Sequence, residues 1–164
     1  KQCGLRNSRD IRYHGCDLCV AEVPQKQDNI ISAASSFMNA IGKLPDTQRR
    51  LVEKVLYVLS KPGGLEYYHL FKVLYLADCG YQQAYSRKLV EDDFCALRYG
   101  FVPSALYNAI KARGKETLLS QALWEVVETE EGDKYTLYPL READMNYIDD
   151  SEASTLDKYI CMLL

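Results

Sequence analysis

Apolar residues recur at helical spacing through the middle of the chain, and they predict two consecutive helices. Over residues 46–60 an apolar stripe is widened by further apolar positions, so this helix is expected to be buried on more than one side. Asp46 is its expected N-cap. The Lys-Pro-Gly-Gly run at 61–64 ends it, because proline lacks the N–H group that a helix requires. A second apolar stripe follows directly and is expected to end near Asp78, with Gly80 as its stop.

Weaker patterns predict shorter elements in the second half of the chain. Pro103 suits the first turn of a helix that ends toward Gly114. A short helical or irregular stretch is expected over residues 118–122. Residues 123–128 and 134–138 are predicted to be two strands joined by a glycine-containing turn. The expected fold class is therefore α+β, a compact and mainly helical domain with a small antiparallel β-hairpin.

The two ends of the chain differ in how clearly they predict structure. Asp149 and Glu152 have the spacing of a capping box before a last helix. Because that helix has no glycine stop, we expect a domain over residues 46–164 that is truncated at its C-terminus. Residues 1–45 show no sustained periodicity and are expected to form a poorly structured or short-helical N-terminal extension, with one short helix over 30–41.

Composition narrows the class of protein. A chain of 164 residues with 48% hydrophobic and 26% charged residues fits one globular domain. Its net charge of −3 provides no general attraction to nucleic acid or anionic lipid. No apolar run approaches the ~20 residues of a membrane-spanning helix, and the N-terminus lacks the layout of a secretory signal. We therefore expect a cytoplasmic protein whose cysteines are reduced thiols.

Tyrosine dominates the aromatic residues, with thirteen tyrosines against four phenylalanines and one tryptophan. Most of these rings are expected at the edge of the core. A tyrosine ring also suits a surface that becomes buried when a partner binds, because it combines a broad apolar body with one polar tip.

The sequence contains few motifs that are associated with catalysis. The two histidines, His14 and His69, do not lie in an H-E-x-x-H pattern, and the glycine pair at 63–64 is not followed by Lys-Ser or Lys-Thr. No G-x-S-x-G nucleophile motif occurs. The adjacent acids at 91–93 are expected to begin a solvated helix, since neighbouring carboxylates point in different directions. The protein is therefore predicted not to be an enzyme.

The N-terminal extension contains the one pattern that suggests a metal. Cys16-x-x-Cys19 can offer two thiolates to zinc, and Cys3 and His14 would complete a four-coordinate site. The spacing argues against it, because His14 precedes Cys16 by only two residues, which zinc fingers and ribbons rarely use. We expect no metal or other cofactor, and we keep a zinc-binding or redox protein as an alternative.

Three blocks of sequence resemble one known family. The block LFKVLYLAD at 70–78 resembles the family's K-x-L-Y-h-A-D helix, where h is apolar, and ALRYGFVPSALY at 96–107 resembles its A-x-x-x-G-P-V-P-S-x-x-Y block. Residues 135–144, followed by 151–152, resemble its second strand and acidic lead-in to a helix. In this order, over about residues 50–160, the blocks are similar to the Panacea domain, also called the SocA-like or phage-associated antitoxin domain.

The resemblance implies a mainly helical fold with a small hairpin, and the role of a bacterial antitoxin that neutralises a cognate toxin by direct binding. It also implies a possible second partner, because at least one branch of the family hands its toxin to a ClpXP-type protease. The motif positions in this chain are expected to be mainly structural: Lys72, Leu74, Tyr75, Asp78, Gly100, Val102 and Pro103.

The partner-binding surface is expected to be aromatic, with Tyr99, Phe101 and Tyr107 as contributors. Phe101 stands where family members usually have proline, so its bulky ring is expected to reach the surface of a turn. The other two tyrosines flank it in the sequence.

A DNA-binding regulator of its own operon is the remaining alternative, because antitoxins often repress their own operons. The helix that would read DNA, over residues 65–78, is apolar and aromatic with Lys72 as its one lysine or arginine. Such a helix belongs in a core and not in a major groove, so nucleic acid is not an expected partner.

Overall fold

The computed structural model of the protein describes residues 40–98, 100–133 and 135–164. The N-terminal cysteine cluster, Tyr99 and most of the short helix expected at 30–41 lie outside the described residues. None of the helices in the described ranges is long and apolar enough to cross a membrane.

Helices form most of the described part of the chain, so the predicted mainly helical α+β class is confirmed. In chain order the elements are α1 (Asp46–Ser60), β1 (Leu65–Glu66), α2 (Tyr67–Tyr85), β2 (Phe94–Leu97), β3 (Gly100–Pro103), α3 (Ser104–Ala112), α4 (Leu118–Trp124), β4 (Val127–Glu128), β5 (Thr136–Pro139), a 3₁₀ helix (Met145–Tyr147) and α5 (Asp150–Leu163).

The strands form two small antiparallel sheets. One has the order β1-β5-β4, and the other is the β2–β3 hairpin, in which Leu97 lies opposite Gly100. The hairpin predicted from 123–128 and 134–138 is confirmed as the β4–β5 pair. Its first strand is shorter than predicted because Leu123 and Trp124 close α4. The β2–β3 hairpin was not predicted.

The core forms around α1 and the first part of α2. Helix α1 is buried on several sides, as its wide apolar stripe predicts. Its N-cap is Pro45 and not Asp46, which is the first helical residue and makes no side-chain cap. Strand β3 and helix α5 both pack against α2. The fully buried apolar residues of α2 that fill the centre are Leu70, Val73, Leu74 and Ala77.

Helix α2 is longer than predicted, because it continues through Gly80 to Tyr85 and ends in a left-handed Ser86 with φ 55°. The prediction that Gly80 stops the helix is wrong. A Cβ atom built at Gly80 would overlap the side chain of Tyr159 on α5. The glycine therefore allows two helices to approach closely.

Helix α1 carries two adjacent buried charges, Glu53 and Lys54, and each pairs with a different part of the fold. The Glu53 carboxylate accepts two bonds from the Arg141 guanidinium, from Nη2 to Oε1 at 2.6 Å and from Nη1 to Oε2 at 2.9 Å. It also accepts the backbone N–H of Asp144 at 2.8 Å. These contacts attach the segment after β5 to α1. The hydrogen bond to Glu53 raises the pKa of Arg141, so the guanidinium stays charged.

The second buried charge, Lys54, connects α1 to α5. Its Nζ donates to Glu152 Oε1 at 2.9 Å and to the carbonyl oxygen of Leu89 at 2.5 Å, and the Lys54 and Glu152 side chains are 2% and 4% exposed. Arg50 adds a bidentate contact to the same carboxylate at 2.9 and 3.0 Å. Glu152 also accepts the backbone N–H of Asp149 at 3.0 Å, which confirms the predicted capping box.

Candidate functional site

An aromatic cluster covers one side of α2. The ring of Tyr67 lies 4.4 Å from that of Tyr68, 5.5 Å from that of Phe71 and 5.9 Å from that of Tyr135, centroid to centroid. Phe71 meets the ring of Tyr107 edge-on at 6.1 Å. Burial, together with a hydrogen bond to Tyr68, raises the pKa of Tyr67, so its phenol is neutral at physiological pH. The cluster forms an apolar platform on this side of α2.

The β2–β3 hairpin packs beside this platform and exposes apolar side chains. Phe101 stacks on Tyr75 with ring centroids 4.5 Å apart and planes 11° from parallel, and Phe94 meets Tyr75 edge-on at 5.3 Å. One face of the Phe101 ring is covered in this way, yet the residue remains 45% exposed and Leu97 in β2 is 44% exposed. Leu97 lies opposite Gly100 and Phe101 lies opposite Ala96, so the two exposed side chains are on opposite faces of the hairpin. Each face of the hairpin therefore offers one accessible apolar side chain and is a candidate binding surface.

A groove lies on the other face of the hairpin. Successive side chains of a strand point to opposite faces, so Val102 points away from Phe101 and is buried. The groove has a volume of about 250 Å³. Its lining residues are Tyr68, Leu97, Arg98, Gly100, Val102 and Tyr107.

The hairpin is fixed to α3 by the acids that precede it. The Asp92 carboxylate accepts the backbone N–H groups of Ala105 and Leu106 at 3.0 Å each, so it satisfies donors at the N-terminus of α3. Ser104 donates its backbone N–H and its hydroxyl to the carbonyl oxygen of Asp93 at 2.9 and 2.8 Å. The expectation that these acids begin a helix is wrong. Asp92 instead caps α3, the helix that follows the β2–β3 hairpin.

The buried Asp78 holds the loop between α2 and the hairpin. Its Oδ1 accepts the backbone N–H groups of Leu89 and Val90 at 2.7 and 2.9 Å, and its Oδ2 accepts the Gln82 amide at 2.5 Å. Leu89 and Val90 are themselves fully buried. The carboxylate therefore takes the place of the backbone acceptors that an irregular buried segment lacks.

A comparison with protein families finds a match to the antitoxin SocA-like, Panacea domain over residues 70–163. The chain belongs to this family. Comparisons with the curated proteins and with the solved structures find no match. The family supports an antitoxin-type role in general, and with it a toxin as the general kind of partner.

The motif residues of this Panacea domain occupy distinct places around the hairpin. Leu74 lies in the core, Asp78 holds the loop, and Gly100 has a φ of +131° that favours glycine. Pro103 is the N-cap of α3, as its place in the sequence suggested to within one residue. Lys72 is exposed on α2. Of the remaining motif side chains, Tyr75 stacks on Phe101 and Val102 lines the groove.

Two of the expected partner-binding residues lie on opposite sides of the hairpin. Phe101 is on the face that stacks on Tyr75, whereas Tyr107 lines the groove on the other face. Tyr107 is half-buried, and the Lys111 ammonium lies 4.4 Å from its ring centroid. Tyr99 lies outside the described residues.

Features that would support catalysis or metal binding are scarce in residues 40–164 as far as they are described. They contain no group of three or more His, Cys, Asp or Glu side chains placed to hold a metal. Cys79, Cys95 and Cys161 are free thiols. His69 is exposed and lies 3.4 Å from a carboxylate oxygen of Glu66. What this part of the chain does offer is an exposed apolar surface beside a groove.

Proposed function

We propose that this protein is an antitoxin that inactivates a cognate toxin by binding it directly, without catalysis. The observation that carries the proposal is the family match over residues 70–163. The arrangement of the hairpin supports it, because a stoichiometric inhibitor needs an accessible apolar surface and not a reactive site. Phe101 provides such a surface on one face of the hairpin, and Leu97 provides one on the other face.

We further propose that Phe101, Tyr107 and Tyr99 contribute to the contact with the toxin. Aromatic side chains dominate the energetics of protein interfaces, since each buries a large area at a small cost in side-chain entropy. Tyr75 holds the Phe101 ring in one orientation by stacking on it, which lowers the cost of ordering that ring on binding. Leu97 lies near the turn of the same hairpin, on the face that carries the groove and Tyr107.

Co-expression with the neighbouring gene tests the proposed function. We expect the product of that gene to arrest growth when it is expressed alone, and we expect this protein to restore growth. The measurement is colony formation under independent induction of the two genes. A harmless neighbour, or one that stays toxic when this protein is present, would show that this chain is not its antitoxin.

Truncation of Phe101 tests the binding face. We expect Phe101→Ala to weaken toxin binding by about 2 kcal/mol, which is roughly thirtyfold in Kd. The loss of the stack on Tyr75 should cost no more than about 1.5 kcal/mol of folding stability. Binding would be measured by calorimetry and stability by thermal unfolding.

The matched control for Phe101→Ala is Met162→Ala, which removes an apolar side chain that is also exposed but lies on α5. The control should leave toxin affinity unchanged. A large fall in the melting temperature of Phe101→Ala with unaltered affinity would place the ring in the core and contradict the interface.

A further inference from the structure

We infer that the groove between the hairpin and helices α2 and α3 receives an acidic segment of the partner, in which one apolar or aromatic side chain is flanked by Asp or Glu. The inference rests on the proposed function in that the partner is taken to be the toxin. It adds the chemistry of the segment that the toxin would present.

The shape of the groove suits a single anchoring side chain. Its volume of about 250 Å³ is smaller than a typical small-molecule site. The rings of Tyr68 and Tyr107 and the side chains of Leu97 and Val102 make its walls apolar. Gly100 adds no side chain of its own to the lining. The apolar walls therefore suit one apolar or aromatic side chain of a partner.

The charges around the groove are positive, whereas the protein as a whole is acidic with a net charge of −3. Arg98 lines the groove, and Lys111 places its ammonium over the Tyr107 ring that forms one wall. Lys72, which is exposed, follows Tyr68 by one turn of α2. None of the lining residues is acidic. Like charges suppress wrong partners and opposite charges steer the right one, so this rim favours carboxylates.

Two carboxylates next to the elements that form the groove have other partners within the described residues. Asp92 accepts backbone N–H groups of α3, and Glu66 lies beside His69. The Lys111 ammonium donates a hydrogen bond to the Tyr107 hydroxyl, which raises the pKa of Lys111 and keeps it charged. A carboxylate supplied by a partner would therefore meet the charged Lys111 ammonium at the mouth of an apolar groove.

The environment of the rings favours an acidic protein segment over single-stranded nucleic acid. Bases stack on aromatic faces that are open to solvent. The Tyr107 ring is approached by Phe71 and by Lys111, and the Tyr68 ring lies against Tyr67 at 4.4 Å. Because these rings are already in contact with neighbours, they act as walls of the groove and not as stacking platforms.

A random copolymer of glutamate and tyrosine is a suitable probe, because it presents aromatic anchors among carboxylates. With the full chain, we expect Lys111→Glu and Lys72→Glu each to weaken copolymer binding by about tenfold or more. The wild-type affinity should also fall as NaCl rises from about 50 to about 500 mM, since salt screens exposed charges. Thermal unfolding of both variants would verify that they fold.

The matched control is Lys158→Glu, which reverses an exposed lysine that also lies over a tyrosine ring, 5.4 Å from the centroid of Tyr159 on α5. Its affinity for the copolymer should stay within about twofold of wild type. Equal weakening by the control, no binding of the copolymer, or tighter binding of a twenty-nucleotide oligothymidine that the same variants abolish would each overturn the inference.

The same variants separate this inference from the proposed function. In the growth assay, Lys111→Glu should lose rescue while Lys158→Glu retains it. If Lys111→Glu rescues as well as wild type, the groove is not the toxin contact although the antitoxin function stands. If wild type itself fails to rescue, the proposed function is wrong, and copolymer binding still decides the chemistry of the groove.

Discussion

Replacing Glu152 by alanine is expected to lower the free energy of unfolding by about 3–5 kcal/mol, because the change leaves buried charges without their partner. The Lys54 ammonium is buried in the core and bonds to the Glu152 carboxylate at 2.9 Å. Arg50 binds both oxygens of the same carboxylate. The variant also loses the acceptor for the backbone N–H of Asp149 at the start of α5. Chemical denaturation would measure the loss.

Two further variants test whether the buried pair accounts for this loss. Asp157→Ala removes a carboxylate from the same helix, but its ion pair with Lys61 is exposed, so this control should cost no more than about 1 kcal/mol. Replacing Lys54 and Glu152 together by methionine and leucine should recover part of the stability, since it removes the fully buried charge of Lys54. Arg50 loses the Glu152 carboxylate as well, but it is 29% exposed and still has Asp149 at 3.7 Å. A single variant Glu152→Ala as stable as wild type would contradict the assignment.

The same carboxylate gives the protein a predictable response to acid. Burial raises the pKa of Glu152, but the backbone N–H of Asp149 and the charges of Lys54 and Arg50 outweigh burial and hold it below its ordinary value. A carboxyl whose folded pKa is lowered stabilises the fold above its unfolded pKa, near 4.5, and loses that contribution as pH falls through the folded value. The difference in stability between wild type and Glu152→Gln should therefore shrink as pH falls below about 4.5.

Leu74→Ala is the second change with a large expected effect. Leu74 is fully buried in the centre of α2, and truncation of a buried leucine costs about 2–5 kcal/mol because it loses apolar burial and leaves a cavity. Thermal unfolding should show a fall of roughly 2–4 °C for each kcal/mol lost in a domain of this size. An unchanged melting temperature would show that α2 does not form the core. Leu140→Ala, at an exposed leucine, is the matched control and should be close to neutral.

The parts of the fold that sequence predicted are those with a local cause. The apolar stripe of α1 and the capping box of Asp149 and Glu152 depend on residues within a few positions of each other, and both are present. The prediction that Gly80 ends α2 was wrong, because the reason for a glycine at this position lies far along the chain. Glycine usually ends a helix, but here Tyr159, far along the chain, occupies the space that a side chain would fill.

The candidate site was only partly predictable for the same reason. Phe101 was expected in a turn, but it lies in strand β3 opposite Ala96, next to the turn. The expected exposure is nevertheless present, since the ring is 45% exposed. The stack on Tyr75 and the capping of α3 by Asp92 join residues that are far apart in sequence. A signal for the missed hairpin did exist, since Gly100 lies between two short apolar runs. The buried Lys54 likewise stood out as a charge within the stripe of α1.

The capping of α3 by Asp92 favours fast association of a partner with the hairpin. This carboxylate and the Ser104 bonds to Asp93 join the start of β2 to the end of β3, so the two strands are held together at that end when the domain folds. A partner that docks on these strands does not require them to fold first. Association of such preformed surfaces typically proceeds at about 10⁵–10⁷ M⁻¹s⁻¹, and favourable charges raise that rate. The need to meet in the right orientation should then limit binding, and its rate should rise in proportion to the concentration of this chain.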